Sequence, residues 1–133
     1  MSLRVGRLFV ATPITELLAI VGMLVPALAQ FAMLKATVTA RMFEMQATAL
    51  WSAPVAGFLF CLLGGWWVAR GASVAHERNG VVLGAAVAVI DLALLIVSDA
   101  PFGVLMASSA VSRVAGGYCG GMIAKRRAQR SPS

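Results

Sequence analysis

Charge is scarce in this 133-residue chain: five acidic side chains, one histidine and 12% charged residues, against 60% hydrophobic ones. A water-soluble domain of this length could not cover so much apolar side chain, so an ordinary soluble fold is excluded. The single histidine, His76, rules out a haem held between two intramembrane histidines, and no H-E-x-x-H or comparable metal spacing occurs. Cysteine is nearly absent too. Cys61 and Cys119 both fall in apolar segments without metal-site spacing, which makes them small packing residues. No nucleophile, base and orienting group stand at readable positions, so neither an enzyme nor a cofactor is expected. The basic excess, +6 with a pI near 10.8, does not form a stripe interleaved with aromatics, and nucleic acid is not an expected partner.

What the chain does have is apolar runs of membrane length. Runs over 13–34, 47–69, 80–98 and 101–124 each approach the ~20 residues that a helix needs to cross a bilayer. They predict an all-α membrane protein, a single domain of four transmembrane helices arranged as two antiparallel hairpins, with 125–133 as a basic tail. Thr12-Pro13 reads as an N-cap followed by proline at the first helical position, which places Glu16 in the first turn at headgroup level. Pro26 falls inside that first span, where a kink is expected. The opening is also similar to a secretory signal with cleavage after Pro-Ala-Leu-Ala, but Glu16 ahead of the apolar core and the continuing run FAML favour an uncleaved helix. Residues 35–46 form the one sizeable polar connection, read either as a short interfacial helix or as an ordered loop. Asn79-Gly80 reads as the exit of the charged 71–80 turn, and 98–101 as a second tight turn.

Trp51, Trp66, Trp67 and Tyr118 stand near span ends, where amphipathic rings anchor helices at the headgroups. Arg4, Arg7, Arg70, Arg78, Lys125, Arg126, Arg127 and Arg130 fall on one side of this arrangement, and Lys35 and Arg41 on the other. The positive-inside rule then puts both termini and the 70–80 turn in the cytoplasm.

Small residues recur every fourth position. Ala53, Gly57, Cys61, Gly65 and Ala69 line one face of the second span, and Gly80, Gly84 and Ala88 one face of the third. The fourth span carries two adjacent rows, Ser108-Ser112-Gly116-Gly120 and Ser109-Arg113-Gly117-Gly121. Such rows let helices approach closely, so Gly57, Gly65, Gly80, Gly84, Gly116 and Gly120 are the expected helix-packing positions. Asp91 shares a face with the small row of the third span. Counted from the same membrane side, it and Arg113 differ in depth by roughly 7–8 Å, which a guanidinium stem can bridge. A buried Asp91–Arg113 pair is therefore expected, supported by Ser108, Ser109 or Ser112. It either fixes how two helices dock or lines a polar pathway. His76, Glu77 and Arg78 read as a solvated turn rather than a catalytic cluster.

Leu63-Gly64-Gly65-Trp66 through Arg70 is echoed approximately by Ala115-Gly116-Gly117-Tyr118 through Lys125. With GGWWVAR, VVLGAAVAVIDLAL and RVAGGYCGGMIAKRR in view, the chain resembles a loosely defined group of small bacterial four-span membrane proteins of uncharacterised function, over roughly residues 55–128. Relatives of that kind often place histidine directly before the glycine entering the third span, whereas here Glu-Arg-Asn separates His76 from Gly80. The resemblance implies a multi-pass protein of the bacterial inner membrane and supplies no activity. The expected function is structural or accessory, with the lipid bilayer and a homo-oligomer or larger membrane complex as partners. The alternative is an oligomeric transporter or channel subunit using Asp91 and Arg113.

Overall fold

The computed structural model describes residues 4–33, 37–97 and 103–130. They form four helices and, among the described residues, no strand: α1 (Val5–Met33), α2 (Val38–Ala69), α3 (His76–Val97) and α4 (Val104–Arg130). Three of these, α1, α2 and α3, are long and apolar enough to cross a membrane. The outer surface agrees with that composition. Phe9, Leu17, Val55, Val89, Ile96 and Val111 are all more than half exposed, whereas the interior holds Ala11, Ala19, Ala27, Cys61, Val68, Leu83 and Val87. An apolar exterior around an interior of mostly small side chains is the pattern of helices packed within lipid, and it is consistent with a multi-pass membrane protein.

The helices are longer than the apolar runs predict. α1 starts at Val5 instead of Pro13, so Thr12 is no N-cap; its hydroxyl donates to the Leu8 carbonyl at 2.7 Å. Pro13, Pro26 and Pro54 all lie inside helices. Proline is tolerated within lipid-embedded helices because neighbouring groups re-satisfy the freed carbonyls. Nor is the 37–46 segment a separate loop or short helix. Thr37 caps α2, its hydroxyl accepting from the Ala40 N–H at 3.4 Å, and the helix runs unbroken to Ala69. Asn79 is no turn exit either but belongs to the first turn of α3, fully buried, accepting from the Arg4 N–H at 3.0 Å and donating to the Ala75 carbonyl at 2.9 Å. Ala75, with φ of 59°, is the residue that turns the chain into α3. The basic tail continues α4 to Arg130. The expected turn at 98–101, Lys35 and residues 131–133 lie outside the described residues.

α4 packs against α2 and α3, and α1 against α2 and more lightly against α3. α1 and α4 are thus diagonal partners without a close backbone approach among the described residues. At one end of the bundle the cations gather. The Arg7 guanidinium lies over the Trp67 ring, Arg70 and Arg127 lie over Trp66, and Lys125 pairs with Glu77 at 3.2 Å. Trp51 is largely exposed farther up α2, and Tyr118 is part-exposed on the outer face of α4.

Glycine is what lets α4 come so close. A Cβ at Gly80 would strike the Gly117 carbonyl, one at Gly117 the Gly80 carbonyl, and one at Gly84 would lie 2.5 Å from the Arg113 carbonyl. On the other side, additions at Gly116 and Gly120 would strike the Phe58 and Leu62 carbonyls of α2, and one at Gly65 would come within 2.7 Å of the Gly117 carbonyl. The two rows on α4 therefore divide their work: Gly116 and Gly120 meet α2, while Gly117 and Gly121 meet α3. The two echoed segments face one another, since α2 and α4 run in parallel toward the basic end.

Candidate functional site

Arg113 lies in the row that faces α3, one helical turn before Gly117, and is only 4% exposed. Its Nη1 sits 3.1 Å from Asp91 Oδ2, which brings together the two charges the sequence pairs. Ser109, one turn earlier on α4 and fully buried, accepts a hydrogen bond from the same Nη1. Of the three serines expected to support the pair, Ser109 meets the guanidinium. Ser112 instead donates to the Ser109 carbonyl at 2.7 Å.

A third charge completes the cluster. Arg113 Nε lies 3.4 Å from Glu16 Oε2, although Glu16 belongs to α1, the helix diagonal to α4. Only the long arginine stem makes this possible, and Gly57 of α2 gives it room. A Cβ there would lie 3.1 Å from both Arg113 Cγ and Nη1. Gly57 thus serves the arginine, whereas the sequence assigns it to helix–helix contact. Glu16 is likewise not in the first turn of its helix. It is the twelfth residue of α1, about 16 Å along the helix from Val5 at 1.5 Å per residue, and its side chain is 5% exposed. Thr12 and Thr15 are buried on the same face of α1, at the i−4 and i−1 positions.

The cluster is asymmetric. Asp91 is 28% exposed and borders a cavity of about 120 Å³, whose polar lining also includes Ser109 and Arg113, with Ala19, Leu50 and Met106 among its apolar walls. These positions place the cavity between the cluster and the end of the bundle opposite the basic residues. Glu16 is closed off: its Oε1 has no hydrogen-bond partner. Cys61 of α2 is fully buried one turn beyond Gly57, on the face of that helix that meets Arg113.

Chemically, the site holds two carboxylates, one guanidinium, a hydroxyl and a thiol in a largely apolar setting. Among the described residues no three of His, Cys, Asp and Glu converge in a metal-binding group. His76 opens α3 near the basic end, far from the cluster along that helix. The signal for Glu16 was present in the sequence as the face Thr12-Thr15-Glu16-Ala19, spaced three and four apart, but a helix begun at Pro13 hides it. No family model matches the chain, and no curated protein or solved structure matches it.

Proposed function

We propose that the chain is a small multi-pass protein of the bacterial inner membrane with a structural or accessory role, both termini and the 70–75 turn facing the cytoplasm. The gathering of Arg7, Arg70, Lys125 and Arg127 at one end of the bundle supports that orientation, since cationic ends are retained on the cytoplasmic side. The observation that carries the structural role is the origin of the three charges. Glu16, Asp91 and Arg113 come from three different helices, and the guanidinium offsets part of the burial cost of both acids while they offset its own. Together with the glycine contacts, they hold α4, the one helix without a membrane-length apolar window among the described residues, against α2 and α3. Because Gly65, Gly80, Gly84, Gly116 and Gly120 are occupied within the chain, a partner in a homo-oligomer or larger complex would meet the apolar outer faces of the helices.

The second reading, a small transporter or channel subunit, is favoured by the cavity beside Asp91. A flux measurement on the purified protein separates the two. The accessory reading predicts proteoliposomes whose proton and alkali-cation fluxes equal those of empty vesicles. A flux that Asp91→Asn abolishes would establish the transport reading in its place.

A further inference from the structure

The charges of the buried cluster do not cancel. With every group ionised, two carboxylates and one guanidinium leave one net negative charge, and Arg113 cannot supply a second positive one. An uncompensated charge in such surroundings is strongly unfavourable even after relaxation. Three occupants could balance it: a metal cation, a second basic side chain or a proton. A hard cation needs a cage of oxygen ligands, and here the guanidinium already occupies the space between the carboxylates. No second basic side chain lines the cavity, and none is paired with either acid among the described residues.

We propose that the Glu16–Arg113–Asp91 cluster is a binding site for one exchangeable proton, carried on Glu16 and exchanged with water through the cavity beside Asp91. Two features assign it to Glu16. Its Oε1 is buried with no hydrogen-bond donor, a position that a charged oxygen tolerates poorly and a neutral O–H tolerates better. Asp91 has the shorter contact to the guanidinium, 3.1 against 3.4 Å, and the wetter setting, 28% against 5% exposed, so it is the better-stabilised anion. The groups around Glu16 on the other helices are Cys61 of α2, Asp91 of α3 and Arg113 with Ser109 of α4, and of these only Arg113 is a cation. A cavity of about 120 Å³ with three polar residues in its lining has room for several waters beside Asp91, on the side of the cluster away from the basic end.

Charge matching makes the proton count a function of composition: one for the natural cluster and none once either acid is made neutral. The proposal rests on the membrane reading only for the low dielectric around the cluster, and flotation of the same vesicles tests that reading separately. Infrared spectroscopy of the full-length protein in lipid vesicles at pH 7, in H₂O and D₂O, reads the count directly. The natural protein is expected to show one protonated-carboxyl C=O stretch that shifts on deuteration. Glu16→Gln removes that band, and Asp91→Asn removes it too, because Glu16 then ionises to match Arg113. A floating natural protein without the band overturns the proposal, and this outcome needs no variant to fold. Persistence of the band in Glu16→Gln, or its survival unchanged in Asp91→Asn, does the same. A protein that fails to float overturns the membrane reading and this site with it.

Discussion

Arg113→Leu is expected to be the most damaging single substitution in the chain, lowering stability by about 3–5 kcal/mol, the usual cost of removing one partner from a buried ion pair. Thermal unfolding in detergent, followed by helical circular dichroism, measures it. The size follows from how many groups depend on the guanidinium. Asp91 loses its counter-ion, Glu16 loses its guanidinium partner, and the Ser109 hydroxyl loses the donor Arg113 supplies. Leucine is also shorter and cannot reach from α4 to α1, so the diagonal pair is left without its bridge. Protonation of both acids limits the loss, since two neutral carboxyls are cheaper to bury than two charged ones. Asp91→Asn should cost less, because Asp91 is partly exposed to the cavity and Glu16 remains to pair with the arginine.

Gly117→Ala is expected to have the second largest effect. Overpacking a close-packed site costs typically about 1–3 kcal/mol, and this substitution belongs at or above the upper end because the obstacle is backbone. An added methyl would strike the Gly80 carbonyl of α3, while the Gly117 carbonyl itself lies against Gly65 of α2. The position is therefore a junction of three helices, and α4 cannot slide away from one neighbour without pressing on the other. The same unfolding measurement, set beside Gly6→Ala, gives the contrast. Gly6 has nothing within 4 Å of an added Cβ, and alanine there should leave stability equal or raise it by about 0.5–1 kcal/mol through helix propensity.

Much of this arrangement is legible in the order of residues. Small side chains every fourth residue identify the faces of α2, α3 and α4 that meet, because helical geometry alone turns that spacing into a stripe. Asp91 and Arg113 can be paired from depth and face, since a charge in the bilayer must find a partner and few are on offer. What a stripe faces is less legible. Gly57 sits in register with Gly65, yet one makes room for the arginine stem and the other for a helix backbone. Gly117, left out of the six glycines expected to mediate packing, stands at the tightest junction because α2 and α3 converge on it.

Glu16 was hidden by a local rule that is sound in water. Proline preceded by threonine usually marks a helix start, but the apolar residues before Thr12 contain nothing that stops α1 from beginning at Val5. Those extra residues, Val5 to Thr12, move Glu16 from the first turn to the interior of α1, level with Arg113. The α2 and α4 extensions arise in the same way. The N-terminal end of α2 and the basic end of α4 are polar enough to look like connections, and helix propagation continues through them once the apolar part is formed.

The central claim is that Glu16, Asp91 and Arg113, with the one proton that balances them, act as a single neutral unit that binds α1, α3 and α4 together. Replacing all three by leucine in one protein, and comparing its unfolding temperature with that of Arg113→Leu alone, tests this most directly. A unit of this kind predicts that the triple variant recovers most of the stability lost in the single one, because no uncompensated acid remains to be buried. An unfolding temperature for the triple variant equal to or below that of Arg113→Leu would contradict it.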